Sequence, residues 1–408
     1  MSQTLTAATT SQGLGRISPE RNGANMAARR SIACWSVAPR ILTGVLAVLT
    51  VVSIIVSIVF GAEHIPLGEV WRTVLGRLTG AEVDAGYAVI IWELRLPRSI
   101  LAAVVGAGLA LAGALMQALV RNPLPRRPPP RGKKKKKAPA RAAAGLLETA
   151  HPHNPLAEPY LLGVSAGAAV GATAVMTLGV LSGFGVWALS GGALFGAMAA
   201  TLTVYTVARA QGGLTALRLI LSGVVLSSAY MAVSSLLVFT AGDPHAAESV
   251  MFWLLGSVAG ATWAKVPLAA AVVAIGLVGA LLIHSWLDAY AAGSDTAASL
   301  GVPVRALRNG LFAMQGVLVG VLVAVAGGIG FIGLIVPHAA RLIVGATHRA
   351  MLPVTVCAGA LFLVWVDVVS RELAAPREMP LGIVTGLIGA PVFLFLMGRR
   401  RYEFGGAT

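Results

Sequence analysis

Of the chain's 408 residues, 57% are hydrophobic and 12% are charged, about half the charged share of an ordinary soluble domain. Such a chain cannot cover its apolar surface with polar side chains, which excludes a water-soluble globule and makes lipid its solvent. Lys and Arg exceed Asp and Glu by 31 to 16, a net +15, but the positive charge sits in short segments between apolar runs. That placement is membrane topology, not a nucleic-acid face.

In chain order, the first 39 residues are polar and carry Arg16, Arg21, Arg29 and Arg30. A cleaved signal peptide would set its apolar stretch much nearer Met1, so this segment reads as a disordered cytosolic tail. Runs able to cross the hydrocarbon core, which takes about 20 residues each, follow at 41–60, 98–119, 161–181, 186–208 and 217–240. Five more lie at 266–286, 310–326, 331–345, 352–370 and 381–397. The expectation is an all-α polytopic membrane protein of about ten transmembrane helices, a permease domain over 40–401, closed by a short tail at 402–408. The stretch 125–153 is foreign to it: Pro- and Lys-rich, without a core-forming pattern, and bracketed by two copies of Asn-Pro-Leu. It reads as a solvated, disordered insertion or a gene-sequence artefact, or else as a cytosolic regulatory loop or one that binds anionic lipid.

Basic residues resist translocation, so they set the orientation. One set of loops holds Lys133 to Lys137, Arg209, Arg218, Arg305, Arg308, Arg341, Arg349 and Arg399 to Arg401; the other holds mainly Glu63, Glu69, Glu82, Asp84, Asp243, Glu248, Glu372 and Glu378. Both termini are therefore expected on the cytoplasmic side of the cell (inner or plasma) membrane. Glycines recur at three- and four-residue spacing (Gly163, Gly167, Gly171), the pattern that lets membrane helices approach closely. The cluster Gly327, Gly328, Gly330 and Gly333 is denser than packing requires and predicts a broken or re-entrant stretch. Cys34 and Cys357 lie in unlike surroundings, so no disulfide is expected.

Several absences restrict the chemistry. There is no GxxxxGK[ST] phosphate loop, and no HExxH, paired CxxC or GxSxG stands where catalysis would need it (Gly163 to Gly167 reads GVSAG but opens an apolar run), so no catalytic, cofactor or metal site is expected. Ion-coupled carriers usually bury acids at mid-membrane. Here Asp367 is the one carboxylate well inside an apolar run, near that run's external end. A partner must then supply the energy.

Trp92 to Leu124 (WELRLPRSILAAVVGAGLALAGALMQALVRNPL), Asn154 to Ala172 (NPLAEPYLLGVSAGAAVGA), Met251 to Trp263 (MFWLLGSVAGATW), Asp295 to Val304 (DTAASLGVPV), Gly327 to Arg349 and Asp367 to Met397 together resemble the FecCD-type permeases of type II ABC importers, which take up iron–siderophores, haem and vitamin B12. The resemblance runs in order from about residue 40 to 401, interrupted by the insertion. It implies a homodimer or paralogous pair of ten-span subunits, a separate ABC ATPase that hydrolyses the ATP, and a substrate-binding protein; it implies no nucleic acid and no cofactor. The family's arginines for the binding protein match Arg95, Arg98 and Arg371, expected at external span ends and charge-paired only across an interface; snorkelling anchors are the alternative. The ATPase-coupling element resembles the loop 293–304, with Gly293, Asp295, Ala298, Leu300, Gly301 and Val302, Asp295 serving as N-cap of a short helix that Gly301 and Pro303 stop.

On local chemistry, Ser222, Ser227 and Ser234, with Ser228 and Ser235, are candidates for lining a translocation pathway, or else they bond back to helix carbonyls. His338 is assigned a structural role, and Trp253 and Trp263 read either as interfacial belt residues or as substrate contacts. The expected function is import of iron–siderophore complexes, the Trp253 to Ser257 stretch WLLGS being more like siderophore than vitamin B12 members. Vitamin B12 or haem transport, an ion-coupled secondary transporter, and a structural or signalling membrane subunit are the alternatives.

Overall fold

The structure, a computed structural model, describes residues 38–61, 64–81, 83–120, 158–375 and 377–398. The expected N-terminal tail up to residue 37 with Cys34, the insertion 125–153 and the tail 402–408 lie outside the described residues.

Among the described residues every regular element is helical. We number them α1 (Pro39–Ser57), α2 (Leu67–Thr79), α3 (Ala85–Val120), α4 (Val164–Leu178), α5 (Ala188–Ala210), α6 (Ala216–Ala241) and α7 (Pro244–Leu254). After them come α8 (Lys265–Leu282), α9 (His284–Ala291), α10 (Ser294–Ser299), α11 (Val304–Ala326), α12 (Ile332–Val344), α13 (His348–Glu372) and α14 (Leu381–Gly398). Among them α1, α3, α5, α6, α8, α11 and α13 are long and apolar enough to cross a membrane; α4, α12 and α14 are shorter apolar helices. These ten coincide with the ten expected runs.

Boundaries shift where local chemistry intervenes. The helix expected from residue 98 starts at Ala85, because the Asp84 carboxylate accepts the N–H groups of Gly86 (2.9 Å) and Tyr87 (3.1 Å) and caps it there. Over Val89–Arg95 the turns widen to i→i+5 before regular helix resumes at Leu96. The expected run 266–286 divides at Ile283 into α8 and α9.

The core is built on α3, whose side chains from Leu101 to Val120 are buried almost without exception. Lipid tails are as apolar as leucine, so helices in a bilayer associate through close packing rather than hydrophobic expulsion. The sequence of α3 suits that, with alanines and glycines along its buried length. Gly106 faces Gly359 of α13, and a Cβ on either would overlap the other's backbone carbonyl. The same contact joins α4 to α5 at Gly167 with Gly196 and at Gly171 with Gly192. Small polar groups add cross-links inside the bundle: the Ser57 and Ser99 hydroxyls lie 2.7 Å apart between α1 and α3, and Trp365 Nε1 of α13 donates to Ser53 Oγ of α1 at 3.1 Å. At the other extreme α6 is almost bare, with Leu217, Val225, Leu236 and Phe239 all largely exposed.

Candidate functional site

Three places bring chemistry together: an arginine cluster at one end of α13, a short capped helix beside its other end, and a broken helix between α11 and α12.

The widened turn of α3 delivers Arg95 and Arg98 to the C-terminal end of α13. Arg98 is buried; its Nε donates to Asp367 Oδ1 at 2.9 Å and its Nη1 to Glu378 Oε1 at 2.6 Å. Arg371, one turn after Asp367 on α13 and also buried, places Nη2 3.0 Å from Asp367 Oδ2, a charge contact without hydrogen-bond alignment. Its other N–H groups reach the carbonyls of Phe60 (2.9 Å) and Ser57 (3.2 Å). Arg95 is half-buried, and its Nη1 donates to the carbonyls of Ile58 (2.7 Å) and Val59 (3.3 Å). For Arg98 and Arg371 the expectation that these arginines are charge-paired only across an interface is corrected here. Burying a guanidinium demands a counter-charge, and this chain supplies it from Asp367 and Glu378. A cavity of about 330 Å³ opens beside them, lined in part by Gly61, Arg95, Arg98, Arg371 and Glu378.

Beside the N-terminal end of α13, the loop 293–304 does contain a short helix, α10. Its N-cap is Gly293 at φ 129°, not Asp295, which lies in the first turn; this corrects the expected cap. The end is a Schellman closure: Val302 N–H donates to Ala297 O and Gly301 N–H to Ala298 O, both at 3.0 Å, with Gly301 left-handed at φ 81°. Ala297 and Val302 turn inward, while Asp295, Ala298, Leu300 and Gly301 are exposed. From α9, Asp288 Oδ1 accepts the backbone N–H of His348 at 2.9 Å and lies 2.6 Å from its Nδ1, so a carboxylate of α9 caps α13. Burial works to raise the Asp288 carboxyl; the bonds from His348 outweigh it and hold it below the usual carboxylate range.

The glycine cluster after Ala326 is non-helical, as its composition predicts. Gly327 (φ 69°) ends α11 and Phe331 is itself left-handed at φ 68°. The freed peptide groups find partners on the segment leading into α4. Tyr160 OH donates to Ile329 O and accepts from Ile329 N–H, each at 3.0 Å, and Glu158 Oε1 accepts from Phe331 N–H at 2.9 Å. Ser257 N–H, just past α7, takes Ala326 O at 2.8 Å. The first two N–H groups of α14, from Leu381 and Gly382, go to Gly256 O and Leu255 O, both at 2.8 Å. The ends of α7, α11 and α14 thus meet backbone to backbone.

Other expectations are placed differently. Ser222 and Ser234 of α6 are buried, and the Ser234 hydroxyl lies 2.7 Å from that of Thr173 on α4, so they face the chain's own packing rather than an open pathway. Ser227 is half-buried and bonds back to Gly223 O at 2.7 Å; Ser228 and Ser235 are exposed. Trp253 is half-buried and packs on the core at the end of α7, its carbonyl against Gly327. Trp263 lies against Trp92, ring centroids 5.4 Å apart, and its Nε1 donates to Trp92 O at 2.7 Å. His338 is half-buried within α12, and Cys357 is a free thiol in α13. Among the described residues no three His, Cys, Asp or Glu side chains converge as metal ligands would.

Sequence reasoning passed over Glu378, Glu158, Tyr160, Asp288 and His348. For Asp367 a signal was available: a carboxylate four residues before an arginine on one helix face.

The chain matches the FecCD transport family over residues 49–126 and 141–399, leaving out 127–140 within the foreign stretch. It is 39% identical over 312 residues to the cobalamin import system permease protein of Halobacterium salinarum, covering 76% of this chain and 74% of that one. To the hemin transport system permease protein of Yersinia pestis it is 33% identical over 372 residues, 91% of this chain and 99% of the other. A solved structure described as an inward-facing ABC transporter of metal-chelate type superposes with a TM-score of 0.70 at 30% identity, over 89% of this chain and all of the other. With its helical spans in the expected order, this chain belongs to the FecCD transport family, as a multi-pass membrane permease of the type II ABC importer class.

Proposed function

We propose that this chain is the membrane-embedded subunit of an ATP-driven importer. It receives an iron–siderophore complex from a binding protein and moves it under the drive of a separate ATPase. The observation that carries the reading is α10: a rigidly closed helix with an exposed face, joined through α9 and the Asp288–His348 contact to the base of α13. Such an element passes rigid-body motion from a docked partner into the bundle. The basic loops support a cytosolic position for that face and for both termini, and on this reading the arginine cluster faces outward, toward an acidic binding protein. The bare face of α6 suits a second permease copy or a paralogue, with Ser228 and Ser235 beside the shared pathway. The stretch 125–153 is read as an insertion into the permease domain.

Two close relatives named for cobalamin and hemin transport favour a second reading of the cargo. Cobalamin, haem and ferric siderophores share one chemistry, a large chelated metal. The test is uptake into membrane vesicles holding permease, ATPase and binding protein, supplied in turn with labelled ferric siderophore, cobalamin and hemin. ATP-dependent accumulation of one is expected; uptake that survives ATP depletion and follows a proton gradient would end the importer reading. Replacing the exposed Leu300 by Asp should abolish ATPase co-purification while leaving thermal stability unchanged.

A further inference from the structure

The buried Arg98 has two carboxylate partners of unlike character. Asp367 is 1% exposed, belongs to α13 and also faces Arg371. Glu378 is 39% exposed, sits on the connection before α14 and touches the cluster through one contact, Arg98 Nη1. The cavity of about 330 Å³ ends on that same guanidinium, with Glu378 as part of its wall. A water claims about 30 Å³, so the space admits an acidic side chain beside Glu378.

Resting on the docking reading above, we propose that this cavity is a carboxylate receptor occupied in the free chain by Glu378. On docking, Glu378 is exchanged for an acidic side chain of the binding protein. The pairing at the two buried arginines argues for exchange at Arg98 rather than addition there. Arg98 and Arg371 face Asp367 and Glu378, two charges against two, while Arg95, a third positive charge on the cavity wall, rests on the carbonyls of Ile58 and Val59. A third carboxylate entering beside Glu378 would meet like charge at close range, whereas one that replaces it leaves the buried arginines neutralised throughout. Glu378 cannot simply depart, because that would strip a buried guanidinium of half its counter-charge. It is free to be replaced, because its carboxylate is part-solvated and its backbone need not follow. Met379 N–H is tied to Ser370 O at 3.2 Å and Leu381 N–H to Gly256 O at 2.8 Å, so a side-chain rotation suffices. Glu378 is thus a positioning residue, and it sets how readily the acidic partner is taken.

The probe is a purified substrate-binding protein of the importer proposed above, its association measured on the full transporter in nanodiscs. In Glu378→Gln the incoming carboxylate displaces a neutral group, so docking should tighten about fivefold, the scale of one part-exposed ion pair. The gain should fade at high salt, where exposed charge is screened. Glu378→Ala should show the same sign and guards against an unforeseen contact of the amide. If both variants dock as wild type or more weakly while Arg95→Glu loses docking, the exchange is overturned and the docking surface stands. If Arg95→Glu and both Glu378 variants leave association unchanged, the docking surface falls and the exchange with it.

Discussion

His348 Nδ1 lies 2.6 Å from Asp288 Oδ1, and the same oxygen accepts the His348 backbone N–H at 2.9 Å, so one carboxylate from α9 both caps α13 and holds its first side chain. Loss of a capping group costs about 0.5–2 kcal/mol. Asp288→Ala should therefore lower the melting temperature, and Asp288→Asn, which keeps an acceptor, should lower it less. The pH dependence follows from the sign. The folded carboxyl is depressed, so its stabilisation is complete above the unfolded pKa of about 3.9 and is lost as pH falls through the folded value. Melting curves should show wild type above Asp288→Asn at pH 7, with the gap closing only under about pH 4.

Asp367 holds the two buried arginines from one residue. Asp367→Ala leaves Arg98 with Glu378 and takes from Arg371 the carboxylate it faces, and breaking a buried pair costs about 3–5 kcal/mol. Thermal unfolding in detergent should show a large loss. Arg72→Ala, which removes an exposed arginine paired with Glu69 at 2.7 Å, should shift it by less than about 1 kcal/mol.

At Gly359 a methyl group would overlap the Gly106 carbonyl, so Gly359→Ala should destabilise by about 1–3 kcal/mol through overpacking. Gly310, helical in α11 with nothing within 4 Å of an added Cβ, provides the opposite case. There Gly→Ala should stabilise by up to about 1 kcal/mol. Paired melting curves decide both.

The broken helix depends on side chains remote in sequence. Tyr160→Phe removes a hydroxyl that serves both the N–H and the C=O of Ile329, leaving peptide groups unsatisfied at about 1–3 kcal/mol. Glu158→Gln keeps the acceptor for Phe331 N–H and should be milder than Glu158→Ala. Hydrogen exchange at Ile329 and Phe331 should rise in Tyr160→Phe and Glu158→Ala and stay near wild type in Glu158→Gln.

The spans were legible in the sequence because twenty apolar residues are a local property. So was the break at residues 327–331, since four glycines in seven residues cannot be a stable membrane helix. The partners were not. Arg98 meets Asp367 across 269 residues and Glu378 across 280, and no local pattern pairs them. The serines of α6 stand out in the sequence as polar groups in an apolar helix, but which of them face α4 depends on the rotation that packing imposes. Asp295 looked like a cap because aspartate often is one. Gly293 takes the position because its backbone stands at φ 129°, where a side chain would be strained. The helix α7 went unseen because eleven residues with a proline start carry no span-length signal.

The glycine crossings also divide the molecule by stiffness. Where α3 meets α13 and α4 meets α5, backbone rests on backbone with no side chain between to change rotamer and take up strain. Each pair must therefore travel as one solid piece. Compliance is left to the thinly packed α6, and to the junction where α7, α11 and α14 touch through a few peptide hydrogen bonds.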